Sequence, residues 1–318
     1  MGTPDYATII FDKLIKNNFD IVALFTQPDK PVGRKQILTP PHIKNYVIEN
    51  NLQIPIYQPT KLRDIENIEI LKALKPDFII VAAYGQILPK EILDIAPCIN
   101  LHASLLPLYR GASPIQEALL QNDRYSGVTS MLMDVGLDSG DILGYQYFKI
   151  DDNCDVFELF SKLSYIAADL TITTLNNFDQ IKPKKQNQNS VTYCKKIKKT
   201  DGEVAFDDAS KVISKYKAYK NWPEIFLYSG LKLKSIKLID SNSSHLPLEI
   251  LEISKDSIKV GCIKGIIKIK SVQPQSKQEM NVVDYIRGKR LNIGDYLSWI
   301  SWFYTNLSKR AYQNSRIS

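Results

Sequence analysis

A chain of 318 residues, 44% of them apolar, is long enough for two domains with a core each. It offers no signal peptide, no apolar run of the roughly 20 residues a bilayer span needs, and no Cys-x-x-Cys pair among Cys98, Cys154, Cys194 and Cys262, which argues for reduced thiols in a cytoplasmic protein and against a zinc site. The net charge of +7 is unevenly spread: residues 1–180 carry 15 basic and 22 acidic side chains (net −7), residues 181–318 carry 26 and 12 (net +14), as expected where one part handles a small ligand and the other attracts a polyanion.

Apolar runs bounded by turn signals at 21–25, 78–83, 99–102 and 128–133 predict strands, with helix-like stretches at 8–16, 43–50, 68–74, 114–120 and 156–175 around them. Strands alternating with helices predict an α/β fold over 1–181: a doubly wound, mostly parallel, Rossmann-like sheet whose ligands bind beyond the carboxyl ends of its strands. Residues 27–41 lack either periodicity and read as a long loop carrying Lys30, Arg34 and Lys35. From 182 to 203 the chain turns polar and basic, with Lys195-Lys196 and Lys198-Lys199, and reads as a linker. A helix at 209–219 and short β-prone runs at 225–228, 231–239, 248–253, 258–262 and 265–272 predict a small β-barrel within 204–298. Alternation around Lys232 and Lys234, and again over 264–270, puts lysines on one face that can track phosphates. The aromatic run 296–307, which leads into a basic tail (299–318), is too short to cross a bilayer and is expected to dock on the protein body.

The most informative run is Cys98-Ile99-Asn100-Leu101-His102-Ala103-Ser104-Leu105-Leu106-Pro107, followed by Arg110-Gly111 and then Gly136-Leu137-Asp138-Ser139-Gly140-Asp141. Apolar Ile99 and Leu101 alternate with Asn100 and His102, so the polar pair shares one side of a strand at its carboxyl end. Asp138 sits beyond a second apolar stretch, in a Gly-bracketed segment where the backbone can bend sharply. An amide, an imidazole and a carboxylate together suit acyl transfer to an amine. A lone Asn or His near a strand end is usually an ordinary satisfied polar residue; the ordered set, with its Leu-Leu-Pro turn and acidic Gly-rich loop, is much less easily produced by chance. Only His42, His102 and His245 can serve as imidazole bases.

With Gly2-Thr3-Pro4-Asp5, Thr26-Gln27-Pro28-Asp29-Lys30-Pro31, Gly33-Arg34 and Ala82-Ala83-Tyr84-Gly85, these motifs make the chain resemble the folate-dependent formyltransferases over nearly its whole length. The Asn-x-His pair with its distal Asp is shared across that family, so it speaks to the chemistry and not to the acceptor. The resemblance implies transfer of a formyl group from the co-substrate 10-formyltetrahydrofolate to the α-amine of methionyl-initiator tRNA, in support of translation initiation and without a metal. It implies that Asn100 and His102 donate to the oxyanion, that His102 also accepts the amine proton, and that Asp138 supports a protonated His102 and positions a relaying water. A folate pocket is implied from Ala83, Tyr84, Gly85, Ile87, Leu88, Ser104, Leu105, Leu106, Pro107, Gly136, Gly140 and Asp141, although Leu105 and Leu106 read equally well as core. For tRNA it implies Arg34, with Lys35, on a loop entering the acceptor end; Lys195, Lys196, Lys198, Lys199, Lys232 and Lys234 join them as basic candidates. An OB-like form of the barrel is also implied, and a monomer is expected.

Two other readings stay open at this level. One keeps the core but changes the acceptor to an amino-sugar nucleotide or another small amine, leaving the basic half without a purpose; the other is an RNA-binding protein whose catalytic half is idle. There is one departure at the start. The family opens with a short apolar strand before the Gly-Thr-Pro turn, whereas Met1 here directly precedes Gly2. The expectation is that the natural start lies upstream, that Met1 is internal, and that the absent strand is the central one of the sheet.

Overall fold

A computed structural model of the chain describes residues 1–33 and 35–298. Arg34 and the tail 299–318, both given roles above, lie outside the described residues. The chain divides into two compact units, residues 1–118 with 122–196, and residues 119–121 with 197 onward.

In chain order the elements up to residue 196 are α1 (Asp5–Lys16), β1 (Leu24–Phe25), β2 (Lys30–Val32), β3 (Ile37–Thr39), α2 (His42–Glu49), β4 (Ile56–Tyr57), α3 (Ile65–Leu74), β5 (Ile79–Val81), α4 (Lys90–Leu93), β6 (Cys98–His102), β7 (Arg110–Gly111), α5 (Pro114–Leu120), β8 (Tyr125–Leu132), β9 (Ile142–Lys149), α6 (Val156–Asn176) and β10 (Tyr193–Cys194). Helix α1 forms because Tyr6, Ile10 and Leu14 recur every four residues on its buried face, with Asp5 and Lys16 complementing the dipole at its two ends. Asp155 starts α6 by accepting the N–H groups of Phe157 and Glu158. Strand β5 shows how the sheet is covered on both sides. Ile79 and Val81 pack with Ile68, Leu71 and Ile92 of α3 and α4, while the intervening Ile80 faces Ile10 and Leu14 of α1.

The sheet is mixed: the expected parallel pairing holds from β4 through β1 and β5 to β6, and gives way to antiparallel pairing at β8 and β9. β1 pairs with β4 and β5 with β6 in parallel, but β8 runs antiparallel to both β6 and β9. The short Gly-containing connection 133–141 returns the chain directly beside β8, and a return without a helical crossover makes an antiparallel pair.

Between β1 and β5 the sheet is continuous only through Met1 and Gly2. The Gly2 N–H donates to the Phe25 carbonyl (3.0 Å), the Ala82 N–H to the Met1 carbonyl (3.0 Å), and the Met1 amine to the Ile80 carbonyl (2.6 Å). The central place expected for the absent strand is thus the place these two residues take. Next to Met1 lies an apolar cleft of about 120 Å³ walled by Phe11, Leu14, Val22, Leu24, Phe78 and Ile80. Burial, which disfavours the charged form, pushes the Met1 amine down to about 5.

Two segments carry more structure than expected. Within 27–41, β2 and β3 pair as an antiparallel hairpin, Lys30 opposite Thr39 and Val32 opposite Ile37, around Gly33 at φ 70°. Pro31 hides it in the sequence, yet a two-stranded ribbon tolerates proline where the missing N–H faces away from the partner. Residues 182–196, expected to open a linker, are built into the first unit. Ile142 and Lys184 exchange backbone hydrogen bonds (2.8 and 2.9 Å), β10 pairs with β7 in parallel, and Gln186 is buried. Polar composition misleads here because the segment is held by its backbone pairings and by the buried Gln186 and Cys194, while most of its polar side chains stay exposed.

The second unit contains α7 (Ala209–Ala218), β11 (Lys232–Asp240), β12 (Ile250–Ile253), β13 (Ile258–Gly261), β14 (Ile266–Gln273), β15 (Met280–Asn281) and α8 (Val282–Lys289). Its antiparallel sheet runs in the order β11-β14-β13-β12, with β15 on β14. Leu233, Ile250, Val260, Ile267 and Ile269 form its buried side. The run 225–228 makes only isolated bridges, at Phe226. Among the described residues no pairing joins β12 to β11, so the sheet is not closed into the expected barrel.

Candidate active site

Strand β6 delivers two of the three expected groups. Ile99 and Leu101 are fully buried; Asn100 and His102 are the alternate residues, with Asn100 partly open and His102 only 6% exposed. Val81 lies opposite Asn100, so the loop after β5 leaves the sheet beside the amide.

Asp138 comes from the connection between β8 and β9. Its own φ is 49°, and Gly140 lets the connection fold back onto β8, since a Cβ there would stand 1.7 Å from the Leu132 carbonyl oxygen. The carboxylate thereby reaches the end of β6. Asp138 Oδ2 accepts the Gly111 N–H (2.8 Å), and Oδ1 accepts Asn100 Nδ2 (3.3 Å). The His102 Nδ1 atom stands 3.8 Å from Asp138 Oδ1, too far for a direct hydrogen bond.

The other side of the imidazole fixes its tautomer. His102 Nε2 is 2.9 Å from the Tyr109 carbonyl, which can only accept, so Nε2 carries a proton and Nδ1 is the ring atom turned toward Asp138. Asn100 keeps a second N–H beyond the one given to Asp138. The other two imidazoles are placed elsewhere: His42 faces Asp5 and His245 faces Ser243.

The turn after β6 is tied down from several sides. Thr129 Oγ1 donates to the Ser104 carbonyl (2.6 Å) and accepts the Leu106 N–H (2.9 Å), while Ser104 Oγ donates to the Leu108 carbonyl (2.6 Å). Leu106 is core, packed with Met131 and Ile142; Leu105 and Pro107 are half-buried. Tyr84 and Leu88 also belong to the core, although the Tyr84 hydroxyl has no hydrogen-bond partner among the described residues. Ala83, Gly85 and Ile87 are exposed on the loop beside Asn100, as is Gly136 on the Asp138 connection, where Gly140 is buried and Asp141 half-buried.

Tyr109, Thr129 and Gln186 complete the site and were not among the expected residues; Gly111, quoted with its motif, had no role assigned to it. Tyr109 carries a sequence signal, adjacency to the Arg-Gly step; Thr129 and Gln186 carry none. Gln186 Oε1 accepts from Arg110 Nε (3.0 Å) and Nη2 (2.7 Å), and its Nε2 donates to the carbonyls of Asp138 and Gly140, both at 2.8 Å.

The basic candidates are dispersed over different environments. Lys35, Lys195, Lys196, Lys198 and Lys199 are exposed. Lys232 and Lys234 are half-buried, and both bond to Glu224. Burial raises the Glu224 carboxyl, and the two lysines more than offset this, leaving it below its ordinary range. A different set stands in register across the second sheet: Lys237 opposite Lys268, Lys268 opposite Lys259, and Lys259 opposite Glu252, which it contacts at 2.6 Å. Among the described residues, no group of three or more His, Cys, Asp or Glu is placed to hold a metal, and no helix is long and apolar enough to cross a membrane.

An amide donor, an imidazole whose Nδ1 is turned to a carboxylate, and a strand-end location can polarise a carbonyl, take the proton of an attacking amine when the ring is neutral, and stabilise the resulting cation. That combination defines an acyl-group transferase. Comparison with known proteins narrows the class: residues 1–175 match the formyl transferase family and residues 196–290 its C-terminal domain, and the chain belongs to that family. Methionyl-tRNA formyltransferase of a Nitratiruptor species is 57% identical over 295 residues, 93% of this chain and 97% of that one. The same enzyme of Campylobacter lari is 54% identical over 299 residues, 93% of this chain and 98% of that one. Among solved structures, the N-formyltransferase of Helicobacter canadensis in complex with folinic acid and dTDP-3-aminofucose superposes with a TM-score of 0.65 at 18% identity, covering 86% of this chain and 97% of that one. HypX from Aquifex aeolicus in complex with tetrahydrofolic acid gives 0.58 at 15% identity, covering 86% and 48%. At those identities the likeness concerns the fold. The chain is a one-carbon transferase, and formyl-tetrahydrofolate is the co-substrate of its family.

Proposed function

We propose that Asn100, His102 and Asp138 carry the transfer of a formyl group from 10-formyltetrahydrofolate to the α-amine of methionyl-initiator tRNA, the reaction by which this enzyme supports translation initiation. The observation that carries the residue roles is the pinned tautomer of His102: with Nε2–H held by Tyr109, the lone pair of Nδ1 is the only acceptor the ring can offer.

The aminoacyl amine has a pKa near ~8 or lower, so a useful fraction attacks unaided. The free N–H of Asn100 donates to the oxygen on which charge develops. His102 Nδ1 accepts the proton of the amine, and the imidazolium so formed stands 3.8 Å from Asp138; as the tetrahedral intermediate collapses, the bond from the formyl carbon to the folate nitrogen breaks and that nitrogen takes up the proton, relayed by a water that Asp138 positions, and leaves as tetrahydrofolate. The neutral ring has no second N–H to give, so His102 becomes an oxyanion donor only after it is protonated.

The donor fits the loops around this centre. Ile87, Val135 and Leu137, on the loops after β5 and β8, are 85, 76 and 61% exposed, an apolar rim suited to a planar heteroaromatic ligand beside the Asn100 amide. The buried Leu106 and Tyr84 shape the floor from behind rather than through their polar atoms.

The cross-strand lysines support a polyanionic acceptor. Like charges directly opposite on neighbouring strands destabilise a sheet, and the Lys237–Lys268–Lys259 row is therefore better explained by a phosphate backbone than by packing. A small-amine acceptor leaves that row, and the exposed lysines at 195–199, without a role. Arg34 remains the proposed contact of the 30–39 hairpin with the acceptor end. We read the enzyme as a cytoplasmic monomer, with the antiparallel sheet of the second unit as an OB-like module. The test is formyl transfer to methionyl-initiator tRNA with 10-formyltetrahydrofolate: turnover abolished by His102→Ala supports the assignment, and near-normal turnover in that variant removes it.

A further inference from the structure

Asp138 owes its aim to a residue distant in sequence. Gln186 is 5% exposed and uses its whole hydrogen-bonding capacity, two N–H groups on the Asp138 and Gly140 carbonyls and two lone pairs on the Arg110 guanidinium. Its Nε2 therefore grips the backbone of the residue that bears the carboxylate and the backbone two residues further on. Asp138 sits at φ 49°, in the left-handed region that aspartate tolerates better than most residues, which turns the connection toward β6.

Arg110 makes the grip stronger. It is 3% exposed and has no carboxylate within ion-pair distance among the described residues, so its charge acts through the Gln186 amide oxygen. A cation drawing on that oxygen polarises the amide and strengthens both N–H bonds on its far side. The same backbone step anchors the other end: Gly111, next to Arg110, gives its N–H to Asp138 Oδ2, and β10, which begins seven residues past Gln186, pairs with Arg110–Gly111. Backbone and carboxylate of Asp138 are thus held from one strand pair.

We propose that Gln186 is a positioning residue for the formyl-transfer step, clamping the Asp138 backbone so that the carboxylate stays on Gly111, Asn100 and His102. This rests on the role given to Asp138 above. It predicts that releasing the clamp harms the chemical step more than substrate binding, because Gln186 itself, 5% exposed, gives a ligand almost no surface. A displacement of about 1 Å in a catalytic group lowers turnover on the order of 10²-fold.

The experiment is a double-mutant cycle on the full chain. Gln186→Met removes all four bonds; Gln186→Glu keeps the volume and the Arg110 contact but turns a second oxygen toward two carbonyls. Each is assayed for kcat and for both KM values, alone and with Asp138→Ala, with the thermal midpoint measured alongside. Expected is a kcat lowered about 10²-fold in Gln186→Glu with both KM values within about threefold, and no further loss when Asp138→Ala is already present. A normal kcat in Gln186→Glu overturns the proposal, and so does a loss that multiplies unchanged with that of Asp138→Ala. If Gln186→Met fails to fold, Gln186→Glu decides alone. Failure of the Asp138 assignment has a separate signature, since Asp138→Ala by itself would then retain activity.

Discussion

The two units use polar side chains in opposite ways. Around Asp138 most polar groups are committed to one another: one carboxylate serves Gly111 and Asn100 and faces His102, one amide serves Arg110 and two carbonyls, and most of these atoms are hidden from water. On the second sheet, Lys237 and Lys268 stand opposite each other with no carboxylate in ion-pair distance among the described residues. The first arrangement works through geometry, where ångströms matter and salt does not. The second works through summed charge, where a single residue matters little and salt matters much.

The largest effects should come from breaking the geometric side. Asn100→Ala and His102→Ala are each expected to lower turnover about 10²–10³-fold, roughly 3–4 kcal/mol, with the thermal midpoint unchanged. Steady-state formylation assays and a melting curve check both halves of that statement. Loss of folding along with activity would make these residues architectural instead.

A stability effect of a few kcal/mol is expected at the sheet's seam. The Met1 amine is held near 5, below its ordinary value of 8.0, so between those pH values the unfolded chain binds a proton that the folded chain excludes. Stability should therefore rise as pH is raised from about 5 to about 8 and level off above, by about 1.4 kcal/mol for each unit of displacement at most. Urea titrations across that range measure it. The slope should vanish in a chain extended by a few apolar residues ahead of Met1, because a peptide N–H makes the same bond to Ile80 without carrying a charge. An unchanged slope in the extended chain would assign the pH dependence to other groups.

The electrostatic side should yield smaller, additive and salt-sensitive effects. Lys237→Ala and Lys268→Ala should raise KM for tRNA but not for the folate, each reducing the slope of log affinity against log salt by about 1. The smallest change is expected at Lys232. Glu224 already neutralises part of the Lys232 and Lys234 pair, so Lys232→Ala should shift tRNA affinity less than Lys237→Ala. The reverse order would mean that the Glu224 ion pairs open in the complex.

The sequence told the reader most where local pattern and chemistry coincide. Alternation alone put Asn100 and His102 on one side of a strand, and the strand is there; the apolar stretch at 156–175 is helix α6. What escaped depends on pairing between distant residues. The antiparallel sense of β8, the 30–39 hairpin masked by Pro31, and the lysine register across β11, β14 and β13 are each decided by which strand lies alongside, which no window of residues records. Gln186 escaped for a related reason. Its partners lie 46 to 76 positions away, and a glutamine in a lysine-rich stretch looks like solvent-facing linker until the hydrogen bonds are seen.

The buried amine of Met1 also has a practical side. Because Met1 lies inside the sheet, anything fused ahead of it is fed into the cleft between β1 and β5 before it can reach solvent. Apolar residues ahead of Met1 would fill that space, whereas polar ones would compete with the core for it.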